Sequence, residues 1–351
     1  MLTQTAPTRL HQEFDHELVE VFRDPETGLT GAIAVHSTAR GPAMGGLRLH
    51  AYDDLSDLVA DALRLGRAMT LKNATAGLEL GGGKAVLLDD GRWEGRRAER
   101  LHAFGAILER LGGRYITAED VGTTPADMAE IASVTRWVAG LPEDAGGWGN
   151  PSRATARTVF GAVRAGVRQA FGSDDLAGVS VGVLGVGNVG SRLAELLAEA
   201  GAEVVVADVN ESRAAAVATR CGGRTAPVDG FIHAPVEVLA PCALGEVIDH
   251  DDVDKLRARV IAGSANNPLV DDSVARALDT AGVLYVPDFV ANCGGIIFVG
   301  AEALGLDQSE VERRIEAAVE RIDGVLLEAA ACGRLPLEVA YDRAQAALSV
   351  R

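Results

Sequence analysis

The run VGVLGVGNVGS at 181–191 restricts the possible folds more than any other part of the chain. Val179–Leu184 is valine-rich and reads as a strand buried on both faces. Gly185-x-Gly187-x-x-Gly190 follows, opening a helix-like stretch, Ser191–Ala200. A second strand-like run, Glu203–Ala207, ends in Asp208, 18 residues past the last glycine. In such a unit the first glycine permits a tight turn, the second lets a pyrophosphate approach the backbone, and the third lets helix and strand pack closely. The start of the helix, with Asn188 and Val189, attracts phosphate. Glycine spacing alone is a weak signal, but strand, helix and acid in register make it a strong one. Gly185, Gly187, Asn188, Val189, Gly190 and Asp208 are therefore predicted to hold a dinucleotide. Asp208 would bond the adenosine ribose hydroxyls and repel a 2′-phosphate, which favours NAD over NADP. Arg213, close by in sequence, tempers that preference.

Around this unit, strand-like and helix-like stretches alternate: Val204–Ala207, Glu211–Arg220, Val236–Leu239, Val260–Ala262, Val270–Thr280 and Val283–Val286. That alternation predicts a doubly wound Rossmann domain. Upstream, 30–38 and 83–88 read as strands, and Leu55–Met69 and Ala98–Leu111 as helices. Tyr115–Thr117 reads as a further short strand. PEDAGGWGNP, 142–151, has no periodicity and marks a junction. At 351 residues the chain has room for two α/β domains around a cleft. We expect a substrate domain at 1–143, completed by a C-terminal helix at 328–351, and a Rossmann domain at 144–327. Crossings near 144–150 and in the long helix after Ser309 predict hinge closure.

The net charge of −17, without a basic cluster, argues against a nucleic-acid surface. No apolar stretch reaches membrane-spanning length, and the start MLTQTAPTRLHQEFDHE lacks a signal pattern. Cys221, Cys242, Cys293 and Cys332 show no CxxC spacing, so reduced thiols and a cytoplasmic location are expected. The seven histidines show no metal-ligand spacing, and no metal is predicted. His36, His50 and His233 read as structural or surface residues, and Asp249–Asp252 as a helix-capping turn.

GLELGGGKAVLL, 77–88, places Lys84 after three glycines at the mouth of an apolar run. A P-loop reading fails, because Leu78 and Ala85 stand where glycine and Ser or Thr are needed. A desolvated lysine loses pKa, and a second cation, for which Lys72 is the candidate, lowers it further. We read the glycines as a turn that lets substrate lie against the backbone. Taken alone, Lys84 reads more readily as a snorkelling surface lysine.

GPAMGGLR (41–48), MTLKNATAGLELGGGKAV (69–86), TAEDVGTT (117–124), GNPSRATA (149–156), APCALGEVI (240–248), GSANNPL (263–269) and PDFVANCGGII (287–297) occur in that order. Together they resemble the amino-acid dehydrogenase superfamily acting on glutamate, leucine, valine or phenylalanine. The resemblance implies oxidative deamination of an L-amino acid to a 2-oxo acid, ammonia and NADH, the reverse amination, and a homo-oligomer. It implies that Lys72 binds the substrate carboxylate, Lys84 is the low-pKa catalytic lysine, and Asp120 shuttles protons to and from nitrogen. It further implies that Gly45 and Gly46 skirt the substrate, Asn266 positions substrate and nicotinamide, and Thr155 holds the carboxamide.

The resemblance places Met44, Ala118, Ile296 and Val299 around the substrate side chain. Glutamate enzymes carry lysine at the position of Met44, and a buried carboxylate without a partner costs several kcal/mol. The aliphatic set predicts a branched-chain substrate. Phenylalanine or another bulky hydrophobic amino acid is the alternative, since Met44 can move aside. Cys293 and Phe298 depart from the family pattern; Cys293 reads as a small buried filler. Trp137 and Trp148 are expected to pack at the hinge. The rival from another class is a non-catalytic NAD-binding regulator, which would be free to lose Lys84 and Asp120.

Overall fold

The computed structural model describes residues 15–243 and 245–349. Most of the N-terminal stretch read above, and Leu244 of APCALGEVI, lie outside the described residues.

The first sheet holds β1 (Leu18–Arg23), β2 (Thr30–Ser37), β3 (Ala43–His50), β4 (Gly81–Leu88) and β5 (Tyr115–Glu119), in the order β1-β2-β4-β3-β5. β1, β2 and β4 pair antiparallel, while β3 runs parallel to both β4 and β5. α1 (Leu55–Thr75) covers one face; α2 (Arg97–Arg110) and α3 (Pro125–Ala132) cover the other. Alternation along the strands sorts the residues. Ala32, Ala34 and Val86 meet Leu58 and Ala62 of α1, whereas Ile33, Leu47 and Leu87 meet Phe104, Leu108 and Met128. β3 and β1 were not predicted as strands; the two glycines of β3 carry no strand propensity.

The glycine run before Lys84 is strand, not the turn we expected. A Cβ on Gly82 would stand 2.0 Å from the Thr70 backbone nitrogen of α1. The missing side chain thus lets α1 settle onto β4, rather than making room for substrate. Asn73 then stitches the helix down, its Nδ2 donating to the Met44 and Gly81 carbonyls.

The second sheet is wholly parallel: β6 (Ser180–Leu184), β7 (Glu203–Ala207), β8 (Arg224–Thr225), β9 (Val238–Pro241), β10 (Val260–Ile261) and β11 (Leu284–Tyr285). Its order, β11-β10-β9-β6-β7-β8, reverses direction between β6 and β9, where ligands bind in doubly wound sheets. The helices of this half are α4 (Ser152–Phe171), α5 (Asn188–Glu199), α6 (Glu211–Cys221), α7 (His250–Val253), α8 (Asp272–Thr280), α9 (Asp288–Ala291) and α10 (Gly294–Ala303). α5 starts three residues earlier than its apolar pattern suggested, inside the fingerprint itself. Asp249 caps α7 in a reciprocal capping box with Asp252, as the acidic turn predicted.

The junction holds a single helical turn, Glu143–Ala145. Glu302 of α10 clasps it from both sides, accepting from the Gly140, Leu141 and Trp148 backbone N–H groups. α11 (Gln308–Cys332) begins beside Met44 and Leu78 through Ile315 and Ala318, and ends in the second core through Ile322, Val325 and Leu326. The expected break at 327/328 falls inside this unbroken helix. α12 (Pro336–Ser349) lies across α1 and α11, and its Val339 and Ala340 enter the second core. Among the described residues no helix is long and apolar enough to cross a membrane.

Candidate active site

Lys84 and Asp120 come from the two strands that flank β3 in the first sheet. Lys84 lies mid-strand in β4, on the face shared with Gly82 and Val86, and is 4% exposed. Asp120 directly follows β5. Lys84 Nζ lies 2.8 Å from Asp120 Oδ2. Burial lowers the Lys84 pKa, more than the attraction of Asp120 restores it. Burial pushes the Asp120 carboxyl up, but Lys84 and Arg48 outweigh it and hold it below its ordinary value. Arg48 of β3 is a further cation at Lys84, beside Lys72, which the sequence had suggested and which Lys84 repels in turn.

Gly46 faces this pair. A Cβ there would stand 2.7 Å from Asp120 Cβ and 3.1 Å from Lys84 Nζ. Its absence opens the space in front of the ammonium. Gly45 instead presses on the Gly83 carbonyl within the sheet.

Lys72, on α1, reaches across the cleft, its Nζ donating to Asn266 Oδ1 at 3.3 Å. Asn292 Nδ2 donates to the same oxygen at 3.0 Å. Burial also lowers the Lys72 pKa, against the attraction of Asp288. Thr155 sits in the first turn of α4, against Gly295, with its hydroxyl donating to the Pro151 carbonyl.

Met44, Ala118, Ile296 and Val299 fall in one apolar cluster with Ile116, Cys293 and Ala139. Gly140, missed from sequence, belongs with them: a Cβ there would touch Val299 and Ala118. Cys293 is buried, and burial pushes its thiol up to about 11, a neutral filler rather than a nucleophile. Phe298 packs edge-on against Trp148, ring centres 5.6 Å apart.

The dinucleotide cradle has the form its glycines require. Gly185 has φ +93°. A Cβ on Gly190 would lie 2.0 Å from the Gly185 carbonyl oxygen, whereas one on Gly187 would meet nothing within 4 Å. The turn, the close packing and the open approach are each present, and the first turn of α5, holding Asn188 and Val189, carries no side-chain cap. These residues fit a dinucleotide. Asp208 lies at the end of β7, its carboxylate accepting from the Val186 and Asn210 N–H groups and ion-paired with Arg213 at 2.6 Å. Burial raises its pKa, but Arg213 and these donors hold it below the ordinary value.

Arg48, Asp61, Asn292 and Glu302 were also missed. Each acts through a long-range contact that has no short motif; Arg48 was in view within GPAMGGLR but a lone arginine carries no pattern.

A dinucleotide-binding sheet, a buried lysine–carboxylate pair and a lysine spanning the cleft define a two-domain nicotinamide-dependent oxidoreductase. The sequence comparisons place it further. Residues 16–137 match the Glu/Leu/Phe/Val dehydrogenase dimerisation domain, and 207–340 the Glutamate/Leucine/Phenylalanine/Valine dehydrogenase domain. Residues 153–234 match the NAD binding domain of D-isomer specific 2-hydroxyacid dehydrogenases. Leucine dehydrogenase of Geobacillus stearothermophilus is 41% identical, over 95% of this chain and 90% of that one. Valine dehydrogenase of Streptomyces virginiae is 44% identical, over 83% and 82%. The crystal structure of L-tryptophan dehydrogenase from Nostoc punctiforme superposes with a TM-score of 0.84 at 32% identity, over 95% and 96%. The chain belongs to the Glu/Leu/Phe/Val dehydrogenase family, an NAD-dependent amino-acid dehydrogenase. Lys84 and Asp120 are both present and in contact, which separates it from a non-catalytic regulator.

Proposed function

We propose that the chain oxidatively deaminates a branched-chain aliphatic L-amino acid to its 2-oxo acid and ammonia, and catalyses the reverse amination. The contact of Lys84 Nζ with Asp120 Oδ2, fronted by Gly46, carries this reading. Lys72 holds the substrate carboxylate. NAD, which residues 185–190, Asp208 and Thr155 would hold, would supply the acceptor for the hydride of the substrate α-carbon. Lys84, as neutral amine, takes a proton from the water that attacks the resulting imine, and then polarises the carbonyl as its ammonium. Asp120 carries protons to and from the departing nitrogen. Asn266 and Thr155 orient substrate and nicotinamide ring, and the residues 185–190 with Asp208 hold the adenosine and pyrophosphate.

Met44, Ala118, Ile296 and Val299 receive the side chain. None of these four side chains carries a cation to pair with a γ-carboxylate, which disfavours glutamate. Each buried methylene contributes roughly 0.8 kcal/mol, so neighbouring aliphatic substrates are ranked rather than excluded. An aromatic preference is the second reading, favoured by the small Ala118 and Gly140. We also propose a homo-oligomer in the cytoplasm, in keeping with the match to a dimerisation domain.

The test is NADH formation at alkaline pH from Leu, Val, Ile, Met, Phe, Trp and Glu. Highest kcat/KM for Leu, Val or Ile is expected; a Phe or Trp preference would overturn the pocket assignment alone. Lys84→Ala is expected to lose at least about a thousandfold in kcat, the scale of acid–base catalysis, while NADH affinity stays within a few-fold. Retained turnover would remove Lys84 from the chemistry.

A further inference from the structure

Asp120 Oδ2 receives two cations: Lys84 Nζ at 2.8 Å and Arg48 Nε at 3.0 Å. Arg48 Nη1 meanwhile donates to Asp61 Oδ2 of α1 at 3.0 Å. Asp61 is itself fixed, accepting from Tyr52 Oη at 2.6 Å and from Arg64 Nη2 at 2.7 Å. A chain of charges therefore runs from the reacting lysine to the far side of α1, and it is built by register. Gly46 and Arg48 lie two apart on β3, so they share a face: the glycine clears the substrate space, and the arginine stands behind it.

We propose that Arg48 is a positioning residue that, by staying charged on the same Asp120 oxygen, leaves Lys84 as the cation that gives up its proton to become the base, with Asp61 setting how strongly Arg48 does so. The proposal rests on the reading of Lys84 as the catalytic base. Its physical ground is that two cations share one acceptor oxygen and only one of them can lose its proton. An arginine guanidinium stays charged under all working conditions, whereas a buried ammonium does not. Lys84 Nζ loses that proton to solvent, leaving Arg48 charged and Asp120 a carboxylate still able to take up the proton it carries to and from the nitrogen.

The other charged or titratable groups around the pair are Lys72 and Asp61 from α1 and Tyr115 and Glu119 from β5, while Asp288 from α9 acts on Lys72. Arg48 lowers the Lys84 pKa and Asp61 raises it. The two substitutions therefore carry opposite signs. Losing Arg48 leaves Lys84 protonated to higher pH; losing the Asp61 charge leaves Arg48 less compensated and deprotonates Lys84 at lower pH.

The experiment is the pH profile of kcat/KM for L-leucine with NAD in wild type, Arg48→Gln, Arg48→Lys and Asp61→Asn, with NADH binding and melting temperature as controls for folding. Arg48→Gln should move the rising limb about one unit or more to alkaline pH. Arg48→Lys should bring it back toward wild type, at reduced kcat because lysine cannot reach both carboxylates. Asp61→Asn should move the limb to acid. Limbs that stay in place while kcat falls, or that move in the same direction for Arg48→Gln and Asp61→Asn, overturn the proposal and leave Arg48 a structural brace. Should Arg48→Gln fail to fold, the direction of the Asp61→Asn shift decides. Retained turnover in Lys84→Ala brings down the base reading and this inference together; an unmoved limb with Lys84 essential brings down this inference alone.

Discussion

Gly82 shows how a single missing side chain positions catalytic groups two elements away. Thr70 of α1 occupies the volume where any Cβ would be, and Lys72 sits two residues further along the same helix. Gly82→Ala must push α1 off β4, because the clash is with backbone rather than a flexible side-chain end. The expected cost is about 3 kcal/mol, the upper range for overpacking, together with a raised KM as Lys72 is displaced. Urea denaturation and substrate titration check both; a KM unchanged in a destabilised variant would separate the packing role from the placement of Lys72. Much at this scale was readable beforehand. Lys72, Lys84, Asp120 and the fingerprint glycines stand in short motifs, where chemistry and spacing are local. Arg48 and Asp61 could not be read as partners, because 13 residues and a change from strand to helix separate them.

Among the elements, α10 is the least legible in sequence, whereas the junction it clasps was marked by its lack of periodicity. α10 is apolar on all sides, so it has no periodic stripe to announce it. Its one acidic residue, Glu302, satisfies three backbone donors of the junction. Glu302→Ala leaves those donors without their acceptor and should cost about 2 kcal/mol. It should also speed limited proteolysis within 142–151, with Glu302→Gln intermediate because one amide oxygen replaces two carboxylate oxygens. Proteolysis at the wild-type rate would mean that the junction is held elsewhere. The strands and helices of the second domain were legible as alternating apolar runs, with ends shifted by two or three residues where caps rather than periodicity decide. α8 starts after Asp271, whose carboxylate accepts from the Ser273 N–H.

Across the whole molecule, the Lys72–Asn266 contact joins the two walls of the cleft. Asn266→Leu removes that acceptor, and the Asn292 amide loses the same partner. The expected outcome is a larger radius of gyration by X-ray scattering and at least about a tenfold loss in kcat, since closure brings nicotinamide and α-carbon together. An unchanged scattering profile with reduced kcat would assign Asn266 to substrate orientation alone.

The sequence by itself determined the class of fold and, through the family resemblance, put Lys84 and Asp120 forward as the candidate reacting groups. The fingerprint and its terminal acid rest on contacts within a few tens of residues, where backbone geometry follows from residue type, and the lysines stand in short recognisable motifs. Only the tertiary structure decided that the glycines before Lys84 seat a helix instead of forming a turn, and that Arg48 shares the Asp120 oxygen with Lys84. Those outcomes depend on which faces of distant elements meet. Burial and Coulomb interaction act on distance in space, and spacing along the chain does not contain that distance.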